Sequence, residues 1–460
     1  MRASWAESLA CYVTLLSSFS LVEGKLVLLW TLTRHGSRAP NDDVMALCPT
    51  NRDNFNLFNV PPGQLTEHGM LQALALGEHM RSIYVDNMGF LPASLGGGAK
   101  ETPGFWTHFR SDSADRCLMT AQTQARGLYP DETSPPGFPY QPVPVSTQEA
   151  RYDNVFGAPK AACKATMEDD TRVWDSTRGM EIIAEHPDAV MAIEEACDVS
   201  IGDFATADGG REGVVMAIKD VADMFKFDQQ QGNPLLWQMT PTRMEQVVAL
   251  EFQLLQERYY TTPRQVTYWV GGMYKLLVED LQLAASRHAA GQRVKNLYRS
   301  HHGHRELLYG LAHMLGFHFD IPGMARALNT SAIPPGTTMI FELHGPDNEE
   351  TTAAAGEDTA AAGDYDSGAT LSTTEEDDDG GALDSGDLDG GALLDATSTA
   401  AAATAAEERG GVGAADAGAE AFSARVRSAR KYPSGQYHLK ALYWTPSNGR
   451  QSVTLDVCSG

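Results

Sequence analysis

Three features are scarce in this 460-residue chain, and each scarcity narrows what it can do. Beyond residue 24 no stretch approaches the roughly 20 apolar residues of a membrane-spanning helix. There is no run of Lys or Arg, which argues against nucleic acid as a ligand, because phosphate backbones are met by basic patches. Only six cysteines are present. None form a Cys-x-x-Cys pair, so the spacing offers no zinc site and no metal or other cofactor is expected. No Cys-x5-Arg loop is present either, which speaks against a nucleophilic cysteine.

What is abundant is negative charge, and it is localised. The formal net charge is -25, yet residues 347–420 hold 20 Asp or Glu against Arg409 alone. The rest of the chain therefore carries only -6, and the acidity says nothing about the partners of the folded body. Residues 346–421 are built from Ala, Gly, Thr, Ser, Asp and Glu. They cannot bury enough apolar surface to offset chain entropy and are expected to be a disordered acidic insert. Loop closure costs grow slowly with length, so a hairpin tip tolerates it. A calcium-binding or surface-solvating role is the alternative to a plain solvated loop.

The N-terminus starts with Arg2 and runs through a mostly apolar stretch, Leu9 to Val22, to Val22-Glu23-Gly24. Residues 1–24 read as a signal peptide, although Glu7 and several hydroxyl residues dilute the pattern; a buried or disordered segment is the other reading. A lumenal or secreted product follows, without a stable membrane span in the mature chain. In an oxidising compartment one or two disulfides among Cys48, Cys117, Cys163, Cys197 and Cys458 are expected, with one thiol left over. Asn329-Thr330-Ser331 is a glycosylation sequon.

Hydrophobic patterning indicates an α/β core. Lys25 to Thr33 is a short, continuous apolar run, as in a strand buried on both faces. Thr66 is placed to cap a helix whose apolar positions include Leu74, Leu76 and Met80. Phe105 to Arg110 reads as a strand and Ala114 to Leu128 as a helix. That rhythm is βαβ. From 145 to 291 long helical stretches, such as Arg243 to Tyr259 and Val266 to Ala290, predict a mostly helical cap. Asn296 to His301 returns to strand, Arg305 to Leu315 to helix, and Thr337 to Leu343 and Tyr437 to Trp444 to strands on either side of the insert. The expected organisation is 25–144 and 292–460 as the α/β core, with 145–291 as the cap.

The chemistry gathers where the first strand should end, in Arg34-His35-Gly36-Ser37-Arg38-Ala39-Pro40. Phosphoryl transfer needs a nucleophile, dense positive charge around the phosphoryl oxygens and an acid for the leaving group. Arg34 and Arg38 offer planar guanidinium donors. His35 between them is nucleophilic when neutral, one ring nitrogen attacking while the other is held by the backbone. Gly36 allows close approach. An Arg-His pair held in ordinary salt bridges is the alternative.

Arg34-His35-Gly36-x-Arg38-x-Pro40 resembles the signature of the histidine acid phosphatases, the branched family of lysosomal and prostatic acid phosphatases, phytases and inositol polyphosphate phosphatases. Gly63-Gln64-Leu65-Thr66-x-x-Gly69 is similar to that family's next block, and Arg110 to Ala121 to its third. Gly271-Gly272 and Phe341-Glu342-Leu343 also fall where the family has similar residues. The resemblance spans about Lys25 to Cys458 without the insert and is nearest the lysosomal and prostatic branch. It implies a phosphoglycerate-mutase-like three-layer α/β core with a helical cap. It implies phosphomonoester hydrolysis through phosphohistidine on His35, with Arg34, Arg38, Arg110 and His304 holding the phosphate and small phosphomonoesters as substrates.

The last motif departs from the family. The usual His-Asp is represented by Ser300-His301-His302-Gly303-His304-Arg305-Glu306. The preferred register places His304 as the phosphate ligand, Arg305 in the Asp position and Glu306 as proton donor, as in the His-x-Glu variant of the inositol polyphosphate phosphatase branch. His301 is the runner-up ligand, His68 and Asp112 read as structural, and His344-Gly345-Pro346-Asp347, a superficial likeness of His-Asp, is discounted because it ends a strand and opens the insert. A helix N-terminus supplies N–H groups and partial positive charge for phosphate; Glu306 serving only to favour that helix turn is the alternative. The resemblance further implies a Cys163–Cys458 disulfide and leaves Cys48, Cys117 and Cys197 unassigned. A secreted, cell-surface or lysosome-like lumenal location follows, and a homodimer is left open. Arg305 also keeps alive a non-catalytic phosphate-binding protein.

Overall fold

The computed structural model describes residues 24–95, 106–156, 177–205, 213–315, 333–346, 437–446 and 449–453. Residues 1–23 of the expected signal peptide, the Cys163–Cys458 bridge, the sequon and residues 347–421 of the expected insert lie outside them. The chain divides into two units, Met1–Asn348 with Pro433–Gly460, and Glu349–Tyr432. All described residues belong to the first.

Among the described residues seven strands form one sheet: β1 (Lys25–Arg34), β2 (Thr107–Ser111), β3 (Val145–Thr147), β4 (Tyr298–Gly303), β5 (Thr338–Gly345), β6 (His438–Thr445) and β7 (Gly449–Val453), in the order β3-β2-β4-β1-β5-β6-β7. The four strands on the β3 side run parallel, and β5, β6 and β7 add antiparallel. β5 and β6 pair with His344 opposite His438. The chain between them therefore leaves and re-enters at adjoining strand ends. Val145–Thr147, expected at the start of the helical cap, instead form the edge strand β3 against β2. Three residues are too few for a periodicity to be read.

The longer helices are α1 (Glu67–Arg81), α2 (Asp115–Leu128), α3 (Arg178–Glu185), α4 (Pro187–Cys197), α5 (Gly213–Gln231), α6 (Pro241–Tyr260), α7 (Pro263–Ala289) and α8 (Arg305–Leu315). Their starts follow from the sequence. The Thr66 hydroxyl accepts from Gly69 N–H at 3.2 Å, closing the first turn of α1. Thr262 and Gln265 form a capping box on α7, with Pro263 at its first position.

β1 explains why the sheet is buried on both faces. Trp30 and Leu32 pack with α6, α7 and α8, whereas Leu29 packs with residues of α1 and α2, beside Phe109 and Tyr298. The period-2 alternation of a strand sends neighbouring residues to opposite faces, and both faces here are apolar. A separate apolar cluster joins α3, α4, α5 and α6 to Val44 and Leu47 after β1. A Cys48–Cys197 disulfide ties that same loop to the end of α4. Among the described cysteines, Cys117 is the free one, and it is buried.

Candidate active site

Parallel strands in open α/β sheets present their carboxyl ends as a crevice, and the site lies there. Arg34 is registered opposite Gly303, and His35 N–H donates to the Gly303 carbonyl at 2.9 Å. His35 and His304 thus leave adjacent strands side by side, with ring centroids 5.4 Å apart. The pairing of β1 with β4 joins two motifs that are far apart in the chain.

The loop after β1 is held by α1. Ser37 O accepts from both the backbone N–H and the hydroxyl of Thr66, at 3.0 and 3.1 Å. Ser37 N–H donates to Gln72 Oε1 at 2.9 Å, and Gln72 Nε2 donates in turn to His68. Gly36 lies directly on the backbone of Gly69, where any Cβ would overlap it. Both glycines are there for this close approach.

His35 is 4% exposed. Its Nδ1 lies 2.8 Å from the Gly36 carbonyl, so Nδ1 carries the proton and donates, and Nε2 keeps its lone pair. Burial pushes its pKa well below the usual histidine range, and the charges of Arg116, Arg34, His304 and Arg38 push the same way. The ring is therefore neutral in mildly acidic solution.

Arg34 and Arg38 are buried beside it. Arg34 donates to the Ile333 carbonyl. Arg38 donates to Ala39 O and Asn41 Oδ1 at 2.8 and 2.9 Å, and its guanidinium lies 4.6 Å over the Phe227 ring. Burial lowers the pKa of both; that of Arg38 falls to about 10, so each stays charged. The Nε atoms of Arg34, Arg38 and Arg116 are buried without a hydrogen-bond partner among the described residues. Buried donors without acceptors are costly, and three on one small crevice suit an incoming anion.

The two arginines of the third block part company. Arg110, expected to hold phosphate, pairs with the buried Asp153 at 3.2 Å and stacks 5.3 Å from Phe156. It is not among the strongest charges acting on His35, whereas Arg116, in the first turn of α2, is foremost among them. Arg110 sits inside β2 opposite His301, short of the crevice. Sequence reasoning passed over Arg116; the signal for it was its place at a helix start, where donors face an anion.

His304 is the histidine at the crevice. Its Nε2 lies 3.5 Å from Asp112 Oδ1 and 3.8 Å from Cys117 Sγ. Burial opposes its charge, but Cys117 and Asp112 outweigh that and its pKa rises to about 9. His301, the runner-up, is inside the sheet: its Nδ1 donates to Thr31 O and its ring lies between Trp30 and Phe156. Asp112, read as structural, stands at the site and accepts from Ala114 N–H at 2.7 Å.

Glu306, in the first turn of α8, has Arg305 Nε at 3.4 Å from its Oε1. Burial would raise its pKa, but Arg305, Lys219 and His304 bring it down to about 2. Arg305 turns from the crevice into the helical layer. Its guanidinium meets Asp223 in a bidentate pair at 2.9 and 3.0 Å and Glu251 at 2.8 Å. Lys226 also bridges Asp223 and Glu251, at 3.0 and 2.5 Å. On α5, Lys219, Asp223, Lys226 and Gln230 recur at spacings of four, three and four, one face of a helix. Gln230 reaches the Ser37 hydroxyl at 3.3 Å. That polar stripe in an apolar helix was legible in the sequence and was missed. A cavity of about 630 Å³ opens at the other end of β1, beside Lys25, Trp106 and His344, away from His35.

A buried neutral histidine with one free ring nitrogen, ringed by guanidinium groups, is an arrangement for nucleophilic attack on a phosphoryl group. Residues 25–197 match the family model of the histidine phosphatase superfamily (branch 2). Over this stretch the chain is similar to branch 2 of the histidine phosphatase superfamily. Lysosomal acid phosphatase of Xenopus laevis is 31% identical over 166 residues, 35% of this chain and 35% of that protein. Testicular acid phosphatase of Homo sapiens is 33% identical over 147 residues, 31% of this chain and 32% of that one. The chain thus spans about a third of the length of the curated relatives it matches. A solved structure of Hafnia alvei phytase with myo-inositol hexakis sulphate has a TM-score of 0.51 at 20% identity, covering 71% of this chain and 84% of that one. That likeness is one of fold, and a histidine phosphatase fold accords with the three-layer core described above.

Proposed function

We propose that the chain is an acid phosphatase that hydrolyses phosphomonoesters through a phosphohistidine. The observation that carries this reading is His35 itself, neutral, with Nδ1 committed to Gly36 O and Nε2 free beside the guanidinium groups of Arg34, Arg38 and Arg116. His35 Nε2 attacks phosphorus as the P–O ester bond breaks, and the leaving oxygen takes a proton. Arg34, Arg38, Arg116 and the charged His304 stabilise the phosphoryl oxygens. Arg110 was expected in that set; its pairing with Asp153 favours giving the role to Arg116.

Glu306 is the proposed proton donor, and its low pKa sets a condition. In the free protein it is a carboxylate, so its proton must arrive with substrate. Below about pH 6 a phosphomonoester carries one ionisable proton, and an adjacent anion raises the pKa of a carboxyl group. The proton is thus available to Glu306 in acidic solution. In the second step Glu306, again a carboxylate, takes a proton from the water that breaks the P–N bond. Arginines stand in for a metal throughout.

A second reading, an inositol polyphosphate phosphatase, is favoured by the order His304-Arg305-Glu306. Against it, Lys219 and Lys226 are engaged by carboxylates. We further propose a secreted, cell-surface or lysosome-like lumenal location. Supports are the N-terminal pattern of residues 1–24, the Cys48–Cys197 bridge and relatives named lysosomal acid phosphatase. Among the described residues no helix is long and apolar enough to cross a membrane. Sedimentation of the purified chain would decide whether it is a homodimer.

The test is hydrolysis of p-nitrophenyl phosphate and of phytate from pH 4 to 8 with chelator, wild type beside His35→Ala. Aryl phosphate turnover that vanishes in the variant supports the reading, and the phytate rate chooses the branch. Folded wild type that turns over neither ester would instead make this a phosphate-binding protein.

A further inference from the structure

At the rim of the crevice, Asp112, Cys117 and His304 bring one oxygen, one sulfur and one nitrogen donor within 4.8 Å of one another. We propose that these three side chains form a binding site for a soft divalent cation, Zn²⁺ by preference, and that its occupation inhibits turnover.

The geometry is that of a tetrahedral site. Zinc bond lengths of about 2.3 Å to sulfur and about 2.0–2.2 Å to nitrogen and oxygen imply tetrahedral edges of about 3.6 Å (S to N) and about 3.4 Å (N to O). The corresponding separations here are 3.8 Å from Cys117 Sγ to His304 Nε2 and 3.5 Å from His304 Nε2 to Asp112 Oδ1. Those two edges need adjustments of only a few tenths of an ångström; the third, Cys117 Sγ to the Asp112 carboxylate, lies within 4.8 Å and closes toward about 3.6 Å as the metal binds. The donor set selects the metal: thiolate and imidazole favour zinc over calcium or magnesium, which prefer oxygen alone.

Charge balance allows a dication beside the arginines. The Asp112 carboxylate and the Cys117 thiolate together neutralise Zn²⁺, the thiol proton leaving to solvent. Asp112 Oδ1 is oriented by Ala114 N–H, an outer hydrogen bond of the kind that fixes ligating carboxylates. Cys117 is buried, but the His304 side chain is 25% exposed and leaves a way in from the crevice. The fourth position opens there, for water.

Inhibition follows from the place of His304. A metal on Nε2 replaces its proton and pins the ring, so the charged donor 5.4 Å from His35 is lost to the phosphate. That consequence rests on the proposed phosphatase reading; the metal site does not. Spacing motifs could not have indicated it, because Cys117 and His304 are 187 residues apart.

The experiment titrates the full chain with Co²⁺ and reads the thiolate-to-cobalt charge-transfer absorption in the near ultraviolet, then displaces cobalt with Zn²⁺. One equivalent giving the band, its loss in both Cys117→Ser and Cys117→Ala, and at least tenfold weaker binding in Asp112→Asn support the proposal. No band in wild type, or an undiminished band in folded Cys117→Ala, overturns it. Circular dichroism reports folding; should both cysteine variants fail to fold, the wild type with Asp112→Asn decides. In parallel, saturating Zn²⁺ lowers p-nitrophenyl phosphate turnover at least about tenfold, as loss of one phosphate donor would, and spares Cys117→Ser. A cobalt band without any phosphatase activity would keep the metal site and reject only the phosphatase reading.

Discussion

Two clusters of buried charge adjoin in this protein, and they are built on opposite plans. In the helical layer Arg305, Lys219 and Lys226 face Asp220, Asp223 and Glu251, cation matched to carboxylate at hydrogen-bonding distance. In the crevice Arg34, Arg38, Arg116 and His304 surround a neutral His35 with Asp112 and Glu306 as the nearby carboxylates, and three guanidinium Nε atoms lack hydrogen-bond partners among the described residues. Burying a charge is costly unless it is paired. The first cluster meets that cost within the fold. The second leaves it to be met by an anion. Buried positive charge marks function here by being uncompensated, which mere presence would not do.

The largest test of that contrast is at the nucleophile. His35→Ala should lower turnover of p-nitrophenyl phosphate by about 10³-fold or more, measured with chelator present and folding checked by circular dichroism. Next, the two arginines of the third block should separate. Arg116→Ala should cost about 10²–10³ in kcat/KM, the usual effect of removing one charge-stabilising donor. Arg110→Ala should change it only a few-fold, because Arg110 belongs to Asp153; equal losses would place both at the phosphate.

Breaking the matched cluster should act on stability instead. Asp223→Asn leaves Arg305 and Lys226 short of a counter-charge and should destabilise by about 3–5 kcal/mol, read from urea unfolding. Burial opposes the Asp223 charge, but Arg305 and its neighbours hold its pKa well below the carboxylate range. Its folded pKa is thus depressed, and the stability it contributes is present above about pH 4. That contribution is lost as pH falls through the folded value. Asp223→Asn should therefore flatten the acid side of the stability profile.

Glu306→Gln should slow alkyl phosphates by about 10²–10⁴ and p-nitrophenyl phosphate much less, since a good leaving group needs little proton assistance. Equal losses on both would remove the acid role. The smallest expected effect is on the pH profile of kcat/KM. Protonation destroys the His35 nucleophile, and burial and Arg116 hold its pKa well below 6.5, so the acid limb should lie well below pH 6.5. Arg116→Ala removes the foremost depressing charge and should move that limb upward.

Much of this was readable in the chain before folding. The apolar run of β1, the Thr66 cap, α8 from Arg305 to Leu315, and the strands flanking the acidic segment are local patterns of period 2 or 3.6 with their stop signals. His35, Arg34, Arg38 and the His304 register stand where those patterns end, so short-range spacing sufficed to find them. The edge strand β3 was too short to show a period, and Arg110 and Arg116 sit in one motif with nothing local to tell them apart.

By itself, the sequence determined an α/β core, the histidine loop at the end of its first strand and the concentration of acidity in residues 347–420. Only the tertiary structure decided which arginine faces His35, that Arg305 turns to Asp223 and Glu251, that Cys48 pairs with Cys197, and that Cys117 lies against His304. The physical reason is range. Backbone preference and side-chain periodicity act over a few residues and are written in order along the chain. Charge pairing, metal geometry and disulfide reach depend on separations of a few ångströms between residues that may be hundreds of positions apart, and strand pairing together with helix packing sets those separations.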